Sequence, residues 1–222
     1  MFQVVLSIAT TQESNDRELD NTPFKIMDQL PHPAEIKLIP LADIVQDYPG
    51  ILSRHGIPLD RWGVGATKTT DDLLGELEAG ESTLVVGPDG LRRHTTIASI
   101  EVLYTDEEGR NYRLQEDRQE FTNGVRQRNL PRSIGEKMPS GEAPLAAFRR
   151  ALAEELKLQP HTLIYSGTET SSTVSESYPG LPTDVTAHLA TASIAPGDYN
   201  PDGYQEVQPT KTTYFVWQEV PA

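Results

Sequence analysis

Gly135-Glu-Lys-Met-Pro-Ser-Gly141-Glu142-Ala-Pro-Leu145-Ala-Ala-Phe148-Arg149-Arg150-Ala151-Leu152-Ala153-Glu154-Glu155-Leu156-Lys157-Leu158 reads as a glycine-hinged loop running into an amphipathic helix. Leu145, Phe148, Leu152 and Leu156 recur at helical spacing and predict a buried stripe over 145–156. Arg150 precedes Glu154 by four residues, so the two can pair on an adjacent face. Glu154 and Glu155 follow position 151 by three and four residues, which places all three on one side of the helix. Neighbouring carboxylates on a rigid helix beside a mobile loop can hold a hard cation such as Mg²⁺ through oxygen ligands and water.

The flanks of this segment read as sheet. Thr83–Val86, the turn Pro88-Asp89-Gly90, Ile97–Tyr104, the turn Glu107-Glu108-Gly109, Tyr112–Leu114 and the hairpin signal Asn123-Gly124 predict a β-meander of about 50 residues. A loop rich in Gly and Pro follows, then the helix, then strands at Thr162–Tyr165, Val185–Ile194 and Thr212–Val220. Strands, one helix and further strands predict an α+β fold with a mixed sheet. Upstream, residues 10–22 are polar and read as an arm, and Ile36–Ile39 as a short strand. Leu41, Ile44, Val45 and Tyr48 fit a helix that Pro49-Gly50 breaks. A second helix is predicted from Thr70 to Ala79, with Thr69 and Asp72 as a capping box and Gly80 as its stop.

Composition narrows the function classes. The 222 residues carry 33 Asp+Glu against 19 Lys+Arg, a formal net charge of −14. That deficit argues against nucleic acid and against anionic membranes, because both reward cationic surfaces. With no cysteine, disulfides, thiolate zinc sites, iron–sulfur clusters and cysteine nucleophiles are excluded. No run approaches the roughly 20 apolar residues that span a bilayer, and the opening Met1–Ala9 lacks the basic region of a secretory signal. A soluble cytoplasmic protein is the expectation.

The 136–158 segment resembles the Nudix box, Gly-x5-Glu-x7-Arg-Glu-U-x-Glu-Glu-x-Gly-U with U a bulky aliphatic residue. Glu142, Arg150, Leu152, Glu154, Glu155 and Leu158 meet the pattern with its spacing intact. Glu136 and Lys157 stand at its two glycine positions and Ala151 at the glutamate after the arginine. Replacement of both glycines implies a shifted loop geometry. The resemblance implies a Nudix-like αβα sandwich with a mixed sheet over residues 94–222, carrying residues 1–93 as an N-terminal helical extension. It further implies a Mg²⁺- or Mn²⁺-dependent pyrophosphohydrolase acting on a nucleoside diphosphate-linked substrate. Glu154, Glu155 and Arg150 would be the catalytic residues, and Glu142, Glu154, Glu155 and a downstream glutamate, Glu206, the metal set. Loss of the carboxylate at Ala151 keeps a second reading open, a catalytically inactive Nudix-fold module that binds a ligand or a protein. The partner expected is a nucleotide-type small molecule, with no nucleic acid or membrane, and a homodimer is a possible assembly.

Other candidates carry less. Gly63-Val64-Gly65-Ala66-Thr67-Lys68-Thr69 lacks the glycine before the lysine that a phosphate loop needs and reads as a loop and N-cap. His32, His55, His94, His161 and His188 show no metal-ligand spacing. No nucleophile elbow exists. Tyr178, in the turn Ser175–Leu181, reads as the half-buried anchor of a surface turn, with stacking on a planar ligand the other reading. Trp62 and Trp217 read as core or interface residues. Arg92-Arg93-His94 and Arg126-Gln127-Arg128 read as hairpin-edge charges that block edge pairing, with receipt of an anionic ligand the other reading.

Overall fold

The computed structural model describes residues 36–65, 67–121, 124–127 and 132–221. The chain divides into Met1–Pro33 and a compact unit Ala34–Ala222. The polar arm at 10–22, His32, Asn123 and Arg128 lie outside the described residues.

Short elements open the compact unit: strand β1 (Lys37–Leu38), helix α1 (Leu41–Gln46) and helix α2 (Tyr48–Arg54). The break between the helices falls at Asp47, not at Pro49-Gly50. Pro49 occupies the first turn of α2, where its missing N–H has no helical partner to lose. Helix α3 (Thr70–Glu78) starts on the predicted capping box, Thr69 accepting from the Asp72 N–H and Asp72 from the Thr69 N–H.

The sheet is built on one long strand. Strands β2 (Ser82–Gly87), β3 (Gly90–Thr105), β4 (Asn111–Phe121) and β5 (Gly124–Arg126) form the meander. Gly124 pairs with Phe121, one register step from where an Asn-Gly turn would place it. Ile134–Lys137, expected as loop, is strand β6, antiparallel to β3. Helix α4 (Pro144–Leu156), β7 (Thr162–Val174), β8 (Pro182–Ser193), β9 (Tyr204–Val207) and β10 (Lys211–Val220) complete the unit. The main path runs β1-β2-β3-β4-β10-β9, with β8 and then β7 on the other side of β3. The β3–β8 pair is parallel and the others antiparallel, so the sheet is mixed. The boundary expected between 93 and 94 falls inside β3.

Burial along β3 changes parity. Leu91, Arg93 and Thr95 are buried in its first part, Ala98, Ile100, Val102 and Tyr104 in its second. The register with β8 is continuous from Arg93 to Leu103, so no bulge produces the change. Alternate residues point to opposite faces, and the strand therefore buries one face and then the other. Leu91 joins a core with Ile44, Leu52, Leu73, Leu77 and Tyr178. Ala98, Ile100 and Val102 join Phe148, Ala151 and Leu152 of α4. Helices thus cover both faces of the sheet, α1–α3 at one end and α4 at the other, giving an α+β fold. No helix among the described residues is long and apolar enough to cross a membrane.

Arg92, Arg93 and His94 lie on this interior strand, so they do not guard an edge. Each instead meets a carboxylate: Arg92 and His94 meet Asp184, and Arg93 meets Glu76.

Candidate functional site

Helix α4 begins after Gly141, whose φ of 84° turns the loop, and Pro144 occupies its first turn. Ala147, Phe148, Ala151, Leu152 and Leu156 are buried, while Leu145 is 48% exposed. Leu145 has the right angle for the stripe but sits in the first turn, before the helix reaches the sheet. The helix stops at Lys157, which takes the left-handed conformation at φ 60°, ψ 29°. It is the sole non-glycine residue with positive φ among the described residues. The turn that a glycine would make at this position is therefore kept, contrary to the shift expected from the sequence. Lys157 Nζ helps by donating to the Glu154 carbonyl at 2.7 Å.

Arg150 is the hub of the segment. Its Nε and Nη2 donate to the two oxygens of Glu142, both at 2.9 Å. Nη2 also reaches the Lys137 carbonyl at 2.8 Å, and Nη1 donates to Glu154 Oε2 at 3.0 Å. Glu136 stands 3.6 Å from Nη1. One guanidinium thus ties the loop, strand β6 and helix α4 together, using the planar fork that suits bidentate carboxylate pairing. The bonds from Arg150 hold the Glu142 carboxyl below the usual carboxylate range. Burial pushes the Glu136 carboxyl up, with Arg150 opposing.

The other predicted residues are placed differently. Ala151 is fully buried in the core under α4, so this position faces inward. Glu155, one turn further on, shares that inward side and is half-buried, whereas Glu154 is 57% exposed on the flank. Glu206 is buried on β9 and accepts from Gln208 Nε2 at 2.6 Å. The structure therefore joins Glu142, Arg150 and Glu154, while Glu206 bonds Gln208 on β9. As a cation site the donor set does not fit. Glu142 and Glu154 are turned onto a guanidinium and Ala151 has no oxygen to give. Among the described residues no group of three or more His, Asp or Glu side chains is placed to hold a metal.

A second charged cluster lies next to the first, and the sequence reading missed it. Glu76 on α3 is 5% exposed. It accepts from Lys68 Nζ at 2.7 Å, Arg93 Nη1 at 2.9 Å, Ser82 Oγ at 3.1 Å and Tyr178 OH at 2.9 Å. Lys137 Nζ lies 2.6 Å from the same carboxylate and bonds Glu81 as well. Burial alone would raise the Glu76 carboxyl, but bonds from Lys137 and Lys68 overcome it and hold it at about 2. Tyr178 is fully buried, packed on Trp62 and under the Arg93 guanidinium, so neither reading of it as a surface residue applies. The signal was available: Glu76 follows Leu73 by three residues and precedes Leu77, which puts a carboxylate on the apolar face of α3.

Between the two clusters opens a pocket of about 350 Å³. The α3–β2 turn, β3 and the box loop form its walls, with Ser82, His94, Thr96, Ser140, Glu142 and His188 among the lining groups. His94 Nε2 lies 3.0 Å from Asp184 Oδ2, and His188 Nδ1 lies 3.0 Å from the Tyr165 hydroxyl. The pocket is polar, and the Arg150–Glu142 clamp fixes its rim.

No family model and no curated protein matches the chain. Among solved structures it is similar to an Ap4A hydrolase of C. elegans, at 18% identity and a TM-score of 0.31 over 56% of this chain and 79% of that one. It is similar also to the NUDIX domain of Shewanella oneidensis NrtR complexed with ADP ribose. There the identity is 11% and the TM-score 0.33, over 57% of this chain and 71% of that one. A Nudix hydrolase of M. smegmatis, RenU, is a third, at 17% identity and a TM-score of 0.29 over 50% and 68%.

Proposed function

We propose that this protein is a Nudix-type module whose box helix acts as a structural clamp. It binds a small nucleotide-type ligand in the pocket beside the box loop and does not carry out metal-dependent hydrolysis. The observation that carries this reading is the state of the box carboxylates. Arg150 holds Glu142 and Glu154, and the remaining box position with a lost carboxylate, Ala151, points into the core. Six box positions at the family spacing, a clamp closed between two of them, and helices on both faces of a mixed sheet support the family assignment.

The chemistry follows from this chain's own residues. Hydroxyls of Ser82, Thr96 and Ser140 and the imidazoles of His94 and His188 can bond sugar hydroxyls and base edges. One observation favours the alternative, a weak pyrophosphohydrolase. Glu155 lies on the inward side of α4, against which β9 with the buried Glu206 packs.

Calorimetry and product analysis on a panel of nucleoside diphosphate derivatives, ADP-ribose among them, with and without Mg²⁺ or Mn²⁺, separate the readings. The expected result is binding whose heat is unchanged by the cation, without turnover. Turnover that requires the cation and disappears in Glu155→Gln would establish the hydrolase, and silence in both assays would remove the nucleotide-type ligand.

A further inference from the structure

We propose that two copies of this chain pair edge to edge through β7, antiparallel and centred on Ser171, to continue the sheet across a two-fold axis. Strand β7 bonds β8 along its length, and among the described residues its other edge has no strand partner. Every residue from Thr168 to Val174 is exposed, so among the described residues no element covers this part of the strand on either face. Natural edges of this length are normally guarded by lysine, proline or inward charge. Thr162–Val174 contains no lysine, arginine or proline, and a single charge, Glu169, in a chain of net charge −14.

The direction of the backbone groups can be read from the strand end. Ser175 donates its N–H to the carbonyl of Leu181, the residue opposite it in a register that runs Val174↔Pro182. Opposite residues in an antiparallel pair alternate between exchanging two bonds and exchanging none. Thr173, Ser171 and Glu169 therefore turn their N–H and C=O groups toward β8. Thr168, Thr170, Ser172 and Val174 turn theirs outward.

Self-complementarity selects the occupant and the register. With the two-fold axis at Ser171, Thr168 faces Val174 of the second copy, and Thr170 faces Ser172. All four outward residues then find outward partners. Glu169 faces Thr173, so the one charge meets a hydroxyl, and hydroxyl pairs of this kind are favourable across strands. A one-residue slip sets outward groups against inward ones. Centring on Thr170 or Ser172 leaves an outward residue unpaired, and centring on Glu169 opposes two carboxylates. The low charge of the edge offers nothing to attract a basic partner, while it lets two acidic copies approach. The contact is small, so the dimer belongs to the weak, concentration-dependent class.

Sedimentation velocity over a concentration series, joined to site-specific crosslinking, tests this. The chain has no cysteine, so each introduced thiol is unique. Ser171 and its mate form a non-bonded pair about 4.5 Å apart at Cα, within disulfide reach. Thr173 and its mate are offset by four residues, about 13 Å along the strand. Ser171→Cys is expected to give a covalent dimer under mild oxidation, and Thr173→Cys is not. Thr170→Pro, which removes an outward N–H and no bond to β8, is expected to abolish association at an unchanged melting temperature. A monomer at every concentration overturns the proposal, as does Thr173→Cys crosslinking as readily as Ser171→Cys. Should Thr170→Pro fail to fold, the two cysteine variants still decide it.

Discussion

Replacing Glu76 by glutamine tests the physics of the buried cluster at a site the box does not include. The variant keeps an acceptor for Ser82 and Tyr178 but removes the charge that faces Lys68, Arg93 and Lys137. Three cations would then share the site with Glu81, bonded to Lys137, as the remaining carboxylate. The folded carboxyl titrates at about 2 against an ordinary 4.5, a difference equivalent to about 3 kcal/mol of stability at neutral pH. A depressed folded pKa makes this contribution complete above 4.5, and it is lost as the pH falls from there toward 2. Urea denaturation of the parent and of Glu76→Gln should therefore differ by about 3 kcal/mol at pH 7 and by less than half as much at pH 3. A difference below about 1 kcal/mol at pH 7, or one that stays constant down to pH 3, would refute the reasoning, because either means the cations do not depend on this carboxylate.

Three further substitutions address the box segment. Arg150→Lys retains the charge but loses the fork that spans Glu142, Glu154 and the Lys137 carbonyl, so thermal denaturation should report a loss of about 2 kcal/mol. Ala151→Glu places a carboxylate at a fully buried core position and should cost about 3 kcal/mol or more in urea. An unchanged stability accompanied by a new calorimetric Mn²⁺ signal would mean that position 151 opens toward solvent. Lys157→Gly relieves a left-handed φ of 60°, worth about 1 kcal/mol net after the bond to the Glu154 carbonyl is lost, and the melting temperature should rise.

The sequence was most readable where a local rule has a single solution. Thr69 and Asp72 can cap only one helix, and Phe148, Leu152 and Leu156 have one apolar face to bury. Alternation along 97–104 predicted a strand, yet not that it would extend from Gly90 to Thr105 and change its buried face midway. That change depends on which helix packs on which half, a tertiary fact absent from the period. Ile134–Lys137 reads as loop from its glycine hinge and its Gly- and Pro-rich surroundings, residues of low strand propensity. Pairing with the central strand overrides that preference. At the site, the four-residue step from Arg150 to Glu154 predicted their pairing, which the structure contains. The same spacing argument put Glu154 and Glu155 on one side. The two nonetheless differ in burial, because 100° per residue separates a flank from an inward face once a sheet lies beneath the helix. The burial of Glu206 was not legible, since a four-residue strand gives no hint of what packs over it.

Lys137 connects the two charged clusters, and the connection has a consequence for any ligand. Its ammonium group joins Glu76 and Glu81, while its backbone carbonyl receives Arg150. The N-terminal helices and the box loop are thereby fastened to the same strand, on opposite walls of one pocket. Each carboxylate at the rim, Glu81 and Glu142, already has a cation behind it, so the lining is close to neutral despite the acidity of the chain. A phosphate-bearing ligand therefore meets less repulsion here than the net charge of −14 would suggest, because paired carboxylates present little field beyond their partners. Loss of either cation would expose its carboxylate to the pocket and turn an accommodating rim into a repelling one.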